Sequence, residues 1–349
     1  MRIVLADPPA YTPPYDHDLA AALAQAGADV ELVTSPFRFG SHPTPAGYDF
    51  HESFYRLSSR VPWTPLRLVV KAIEHPFGMA QLMRTSCDVL HLQWLSAPRF
   101  DSYALRPRGP LVFTAHDILP RRTAAKTGLW HRLFARSDRI VVHSERGRGR
   151  LEGFGVPAEK LAVIPHPVFR SEPVRRDDGR TILSLGVIRP YKGLDDTIAA
   201  VGRVPSARLL VAGDPRIPLD ALRTAAGPTA EWRLGYLGPR EIEDALGETT
   251  VAVFPYRDEL DQSGALLQAL GAGVPAVVYD VGGLGEDVST FGAGVVVAPG
   301  DIDAFTHGSE QLLADGTALA AARAGAARAR DELTWAASAR AHLALYESL

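Results

Sequence analysis

Two turns in the later half of the chain combine cations and glycines in a way that suits a phosphate. The first, Gly186-Val-Ile-Arg189-Pro-Tyr-Lys192-Gly193, follows the apolar run TILSL and precedes a predicted helix that starts near Leu194. A guanidinium grips phosphate oxygens by paired hydrogen bonds and an ammonium acts as a point charge, so Arg189 and Lys192 together suit a diphosphate. The order is Lys-Gly rather than Gly-Lys-Ser/Thr, so this is not a Walker loop. The second turn runs from Asp261 through Gln262 to Ser263-Gly264 and leads from VAVFPY into ALLQALGAG. A helix start there would present unpaired N–H groups and partial positive charge, and Gly264 would admit a ligand close to the backbone. A third feature, in the earlier half, is His116, which closes the run PLVFTAH. Taken singly, each has a plainer account: an ordinary strand-helix-strand crossover, a solvated loop cation, a hydrogen-bonded core histidine. All three fall at carboxyl ends of predicted strands, where open parallel sheets bind ligands, and that coincidence favours a site.

The elements that must position these residues alternate twice. MRIVLAD reads as a strand, PPAYTPPY as a proline-rich loop, Asp16 to Gln25 as a helix and DVELVTS as a second strand. The first turn has no GxGxxG and so no dinucleotide fingerprint. Asp16-His17-Asp18 could be a metal pair, but acidic residues at a helix start read better as a cap. From Phe37 to Arg67 the apolar period is lost. Thr64 to Ile73 then reads as a helix with Leu66, Val69, Val70 and Ile73 apolar, preceded by Trp63 and carrying Arg67 and Lys71. A surface helix packed on its own domain is the preferred account, and one dipping into a membrane interface is the alternative. DVLHLQW (88–94), PLVFTAHD (110–117), RIVVHS (139–144) and LAVIPHPVF (161–169) are further strands. Ala124 to Arg136 and Glu145 to Gly153 are helices, and the polar stretch 171–180 is a linker. TILSLG, ARLLVAG, EWRLGY, VAVFPY, PAVVYD and AGVVVA then repeat the strand-helix alternation, and Ile302 to Leu349 is alanine-rich and helical throughout. Two such runs predict two doubly wound, Rossmann-like α/β domains whose strand ends can face one cleft.

Composition narrows the function class. The 349 residues are 46% hydrophobic and 22% charged, as in a soluble globular protein of two domains. No run is long enough to span a membrane and no signal peptide is evident. A lone cysteine, Cys87, rules out an internal disulfide framework and fits a reduced cytoplasmic setting. Residues 1–165 carry 20 Lys+Arg against 15 Asp+Glu, a net of +5, while the remainder has 17 against 25, a net of −8. The first half therefore suits an anionic acceptor or the inner face of a membrane, a peripheral contact, and is too weakly basic for nucleic acid.

The segments GVIRPYKG, SGALLQALGAGVPAVVYDVGGLGE and the series DVLHLQW…FTAHD…VVHS…VIPHP resemble glycosyltransferase family 4 over nearly the whole chain, in the family's order. The resemblance implies the GT-B fold: an acceptor-side domain over 1–168, a nucleotide-sugar domain over 169–330, and a last helix, 331–349, returning to the first domain. It implies retention of anomeric configuration, no cofactor and no metal. The donor would be a nucleoside-diphosphate sugar, UDP- or GDP-linked, and the acceptor a glycan, glycolipid or small metabolite. Position by position, Lys192 matches the diphosphate lysine, Arg189 falls in the same loop with Gly186, and His116 matches the histidine that contacts the transferred sugar. The family's glutamate pair falls on Leu260 and Gln268, neither of which is Glu. Gln268 retains an amide for a ribose hydroxyl, and Asp258, Glu259 or Asp261 would have to replace the sugar-facing carboxylate. Asp261, Gln262, Ser263 and Gly264 line the donor side, with Tyr236 as a wall for the base. Tyr15, Asp16 and Gln93 fall on the acceptor side, where Pro14-Tyr15 replaces the usual Gly-Gly. Glu286 keeps the Gly-Gly-x-x-Glu pattern after Gly282-Gly283.

The implied chemistry is front-side hexosyl transfer, with Arg189, Lys192 and the N–H groups at Ser263-Gly264 stabilising the leaving diphosphate. Two other readings stay open on the sequence. One is a sugar-nucleotide epimerase or sugar phosphorylase of similar architecture. The other is a partner subunit that binds the nucleotide without transferring, which the lost glutamates would suit.

Overall fold

A computed structural model describes residues 1–120, 123–257 and 262–349. Over them the chain forms two compact units, Met1–Pro165 with Trp335–Leu349, and His166–Thr334. The polypeptide therefore passes from the first unit to the second and back.

Unit 1 is built on seven parallel strands: β1 (Arg2–Asp7), β2 (Asp29–Thr34), β3 (Asp49–Glu52), β4 (Val89–Leu92), β5 (Leu111–Thr114), β6 (Arg139–Val142) and β7 (Leu161–Val163). Their order is β3-β2-β1-β4-β5-β6-β7, so the winding reverses between β1 and β4. Strand residues point alternately to the two faces. Val4, Ala6, Leu90, Leu92, Phe113 and Ile140 pack on one side. That side is covered by α2 (Thr64–Arg84) and α4 (Thr127–Arg136) through Met79, Leu82, Trp130 and Phe134. On the other side Leu5 and Leu32 stand in register beneath α1 (Pro13–Gln25). The sheet is buried on both faces, which is why its strands read as short continuous apolar runs.

Several elements differ from the sequence reading, each for a physical reason. Helix α1 begins at Pro13, inside the expected loop, because prolines fit the first turn, where their missing N–H has no acceptor. Asp16 therefore lies in the first helical turn instead of capping it. Strand β3, DFHE, is an edge strand without apolar alternation and falls within the stretch that showed no period. Helix α2 continues through Pro76 to Arg84; the carbonyl Pro76 cannot bond belongs to Ala72, which is exposed. The expectation that α2 packs on its domain through Leu66, Val69, Val70 and Ile73 fails for its first half. Leu66, Leu68, Val69, Ile73 and Phe77 are exposed, and the buried residues are His75, Gly78, Met79 and Leu82. Helix α3 (Pro98–Ala104) was not predicted, and α4 starts later than expected. Helix α5 (Glu145–Gly153) has the expected bounds.

Unit 2 has six parallel strands, β8 (Thr181–Leu185), β9 (Arg208–Gly213), β10 (Glu231–Leu234), β11 (Val251–Phe254), β12 (Ala276–Tyr279) and β13 (Gly294–Val297), in the order β10-β9-β8-β11-β12-β13. Here the winding reverses between β8 and β11. Its helices are α6 (Leu194–Val201), α7 (Asp220–Ala226), α8 (Pro239–Glu248), α9 (Gly264–Gly271), α10 (Gly282–Phe291), α11 (Ile302–Ala314) and α12 (Gly316–Glu332). Leu183, Ala252, Phe254 and Val278 pack with Leu266, Leu270, Leu284 and Val288 of α9 and α10. The alternate residues Ile182, Val251, Val253 and Val277 pack with Leu194, Ile198, Phe305 and Leu312 of α6 and α11. The alanine-rich tail is three helices: Asp315 caps α12, and after Leu333 and Thr334 α13 (Trp335–Glu347) lies against α1 in unit 1. There Tyr346 Oη bonds buried His91 Nδ1 at 2.6 Å, and His91 Nε2 lies 2.7 Å from Thr114 Oγ1. No helix among the described residues is long and apolar enough to cross a membrane.

Candidate active site

In each unit the candidate residues gather where the strand order reverses, because the loops leaving the two diverging strands open a crevice there. In unit 2 those loops follow β8 and β11. The β8 loop passes through Gly186, with φ of +107°, and exposed Arg189. It then makes a tight turn over Pro190–Lys192 and reaches Gly193, whose φ is +65°. Gly193 packs against the Pro255 carbonyl so closely that a Cβ would overlap its oxygen. That contact docks the lysine-bearing turn on the β11 loop.

The two loops are joined by a residue absent from the sequence reading. Lys192 Nζ donates to Tyr256 Oη at 2.6 Å, and Tyr256 Oη lies 3.0 Å from Ser263 Oγ. Because the phenol accepts from the ammonium, its own proton points to Ser263. Ser263 caps α9 by accepting the Leu266 N–H at 3.4 Å. With both of those donors directed at it, the Ser263 hydroxyl keeps its own proton to donate. Burial pushes the Tyr256 phenol up, so it stays protonated. The junction thus sets an ammonium, a hydroxyl and the first N–H groups of α9 side by side, where a diphosphate would gain from all three.

Helix α6 starts just after the lysine, at Leu194, and carries Asp195 and Asp196 in its first turn, each 2.6 Å from Arg257. Gly264 is exposed at the start of α9, and half-buried Gln268 lies one turn on along the same face. Gln262 Nε2 donates to Asp287 Oδ2 at 2.8 Å. Tyr236 is 52% exposed and lies just beyond β10, an edge strand separated from β8 by β9. The proposed stand-ins Asp258, Glu259 and Asp261, like Leu260, lie outside the described residues.

In unit 1 the loops at the reversal follow β1 and β4. Asp7 Oδ2 accepts the N–H groups of Tyr11 and Thr12 at 2.6 and 3.1 Å, and Thr12 Oγ1 donates to Asp16 Oδ2 at 3.3 Å. Trp94 Nε1 donates to Thr12 Oγ1 at 2.8 Å, which ties the two loops together. Burial, then the Asp7 charge, pushes the Asp16 carboxyl well above the usual range. Asp16 is thus a buried carboxyl held beside Asp7 and bonded by Thr12. His17 Nε2 lies 3.1 Å from His42 Nδ1, and its other nitrogen bonds Tyr48 Oη.

His116 lies two residues beyond the end of β5 at Thr114, so it belongs to the loop and does not close the strand. Its ring stacks on Trp94 at 5.1 Å and meets the edge of Tyr15 at 4.8 Å. Its Nε2 lies 3.0 Å from Gln93 Oε1 and its Nδ1 3.3 Å from His143 Nε2. His143 in turn bonds the Ile164 carbonyl through Nδ1 at 2.9 Å. A carbonyl only accepts, so His143 carries its proton on Nδ1. Burial lowers its pKa to about 4 and keeps it neutral. Its Nε2 is then a lone pair, and the proton between the rings belongs to His116 Nδ1. The other ring nitrogen, Nε2, faces the Gln93 side chain, whose amide nitrogen is buried with no bonding partner among the described residues. Tyr15, Asp16 and Gln93 are all buried, at 1%, 2% and 0% exposure, so they stand behind the surface. Tyr11, 61% exposed and edge-on to Trp94, faces solvent. The sequence reading passed over Tyr256, His143, Asp7 and Trp94. Only His143 carried a signal, as a histidine at a strand end in VVHS.

Comparison with known proteins agrees with this architecture. Residues 15–171 match the family described as Glycosyltransferase Family 4, and residues 179–315 match that described as Glycosyl transferases group 1. A glycogen synthase of Mycobacterium tuberculosis is 32% identical over 375 aligned positions, covering 95% of this chain and 89% of that protein. An exopolysaccharide phosphotransferase of Streptomyces coelicolor is 29% identical over 188 positions, covering 51% of this chain but only 20% of that protein. Among solved structures, Anabaena HepE in complex with UDP-glucose superposes with a TM-score of 0.73 at 16% identity, covering 100% of both chains. The fold is thus that of the two-domain GT-B glycosyltransferases. The chain belongs to glycosyltransferase family 4, and it is a glycosyltransferase.

Proposed function

We propose that the protein transfers a hexosyl unit from a nucleoside-diphosphate sugar to a hydroxyl of a glycan, glycolipid or small metabolite, with retention and without a metal. The observation that carries this reading is the Lys192–Tyr256–Ser263 junction at the strand-order reversal of unit 2. It places a fixed cation at a helix amino end, and such an arrangement can balance a leaving diphosphate. The complex of HepE with UDP-glucose makes a UDP-linked donor the first to test. In this reading the bond between the anomeric carbon and the diphosphate oxygen breaks as the acceptor oxygen bonds the same face. The acceptor proton passes to the leaving phosphate oxygen. Lys192, Arg189, the Ser263 hydroxyl and the α9 N–H groups stabilise the developing charge, and Gln268 takes a ribose hydroxyl. His116 bonds a hydroxyl of the transferred sugar through Nε2 once that hydroxyl replaces Gln93.

The test is a panel of UDP- and GDP-sugars read by thermal shift, since a ligand of the native state raises Tm. Product formation with EDTA present is then followed, with NMR of the anomeric proton. Lys192→Ala should weaken UDP binding by about 1–3 kcal/mol. Inverted product, or turnover abolished by EDTA and restored by a divalent cation, would refute the mechanism. Unchanged UDP affinity in Lys192→Ala would remove the junction from the site.

A further inference from the structure

Helix α2 is amphipathic with its faces exchanged. The residues turned toward unit 1 in its first half are half-buried Arg67, Lys71 and Glu74, while Leu66, Leu68, Val69, Ile73 and Phe77 face water. Of these, Leu66, Val69, Ile73 and Phe77 recur every three to four residues and so form one stripe, which Trp63, 64% exposed, extends ahead of the helix. Seven of the sixteen large apolar side chains exposed among the described residues fall between Leu57 and Phe77. Scattered exposed apolar residues are ordinary, but a contiguous stripe marks a surface that is covered.

The setting is fixed by polar contacts on the inward side. Glu74 accepts the N–H groups of Leu57 and Ser58 at 2.7 and 2.9 Å. Lys71 Nζ lies over the Tyr55 ring, 4.1 Å from its centre. Tyr55 Oη bonds His75 Nδ1 at 2.6 Å, and His75 Nε2 lies 2.6 Å from Asp101 Oδ1. Rolling the helix to bury its stripe would break this whole series. The apolar face is therefore held outward.

Charge decides what covers it. Arg56 to Arg84 holds five Arg+Lys against a single acid, Glu74, whose carboxylate is committed inward. Arg56 and Arg60 precede the stripe in the chain and Arg84 follows it, all three exposed, and Arg99 is exposed on neighbouring α3 beside Phe100. An apolar stripe with a tryptophan at one end and basic residues along its margins matches the interface of an anionic bilayer. A second copy pairing through the same stripe would set these arginines against their like. We propose that α2 is a peripheral membrane-docking element that lies in the interface plane of an anionic lipid surface. The proposal is independent of the transferase chemistry, and nucleotide-sugar turnover is not its readout.

The full chain is sedimented with vesicles of phosphatidylcholine alone and of phosphatidylcholine containing phosphatidylglycerol. Binding is expected to the anionic vesicles, weakened by salt. Val69→Glu/Ile73→Glu should reduce it at least tenfold with Tm unchanged, since both side chains already face solvent. Arg56→Glu/Arg60→Glu should erase the preference for anionic lipid. Equal binding by wild type and Val69→Glu/Ile73→Glu would overturn the proposal, as would no binding to either vesicle. So would a dimer in sedimentation velocity that Val69→Glu/Ile73→Glu dissociates while vesicle binding is absent, which would assign the stripe to a second copy.

Discussion

Replacing Tyr256 by Phe removes one oxygen atom from the candidate donor site and leaves the buried ring in place. Two hydrogen bonds go with it, the 2.6 Å contact from Lys192 and the 3.0 Å contact to Ser263. A bond to a charged group contributes about 1.5–3 kcal/mol when fully buried, but Lys192 is half exposed and water compensates, so about 1 kcal/mol is the better figure. The neutral Tyr–Ser bond adds about 1 kcal/mol. Folding stability should therefore fall by roughly 1–2 kcal/mol, read as a lower urea midpoint at unchanged m. Donor affinity should fall for a separate reason. Without the phenol oxygen the lysine loses one of the contacts that position it, and re-ordering a long side chain on a ligand costs about 1–2 kcal/mol. Kd for UDP, measured by titration calorimetry, should rise about 5- to 30-fold. The phenol acts through the lysine, so the same change in a Lys192→Ala background should add little. Wild-type affinity in folded Tyr256→Phe, or full additivity with Lys192→Ala, would refute the argument that this hydroxyl presents the ammonium.

Three further outcomes follow from contacts described above. Gly193→Ala meets a left-handed backbone and the Pro255 carbonyl together; it should cost about 2–4 kcal/mol in urea unfolding and weaken UDP binding as the lysine turn lifts. Burial lowers His143 and His342 to a pKa of about 4. Below an unfolded pKa of about 6.5 the unfolded chain binds protons the native state refuses, so stability should fall from pH 6.5 toward 4, by about 2 kcal/mol per histidine at pH 5. A flat profile of unfolding free energy between pH 7 and 5 would show that these rings are not held neutral. His143→Leu removes the acceptor that fixes the His116 proton on Nδ1 and should lower kcat about tenfold, one hydrogen bond's worth of positioning. His143→Gln, whose amide oxygen can accept the same proton, should recover most of it. In wild type, two-bond 15N–1H correlation should report His116 protonated at Nδ1, independently of any turnover.

The double alternation of strands and helices was legible because parallel sheets buried on both faces leave short apolar runs that punctuation separates cleanly. The Lys192 turn and the Ser263 cap were legible for the same reason, since both mark the passage from a strand to a helix. Tyr256 was not, because an aromatic after VAVFP looks like the end of a β run, and only the fold reveals what its hydroxyl reaches. The start of α1 was hidden by Pro13 and Pro14, which break a helix interior but suit its first turn. Periodicity located the stripe on α2 and could not say which way it faced; that depends on the chain Tyr55–His75–Asp101, whose members are far apart in sequence. The exchange of Gly-Gly for Pro14-Tyr15 looked like a change in ligand contact. In the fold Tyr15 is a buried partner of the His116 and Trp335 rings.

The return of α13 to unit 1 bears on how the protein is made. His91 lies in the middle of the first sheet, yet its partner Tyr346 is 255 positions later. A ribosome finishes every strand of both sheets before it delivers that tyrosine. The second unit can thus mature on the ribosome while the first still waits with one face uncovered, and a nascent chain stalled before Trp335 would expose that face to chaperones.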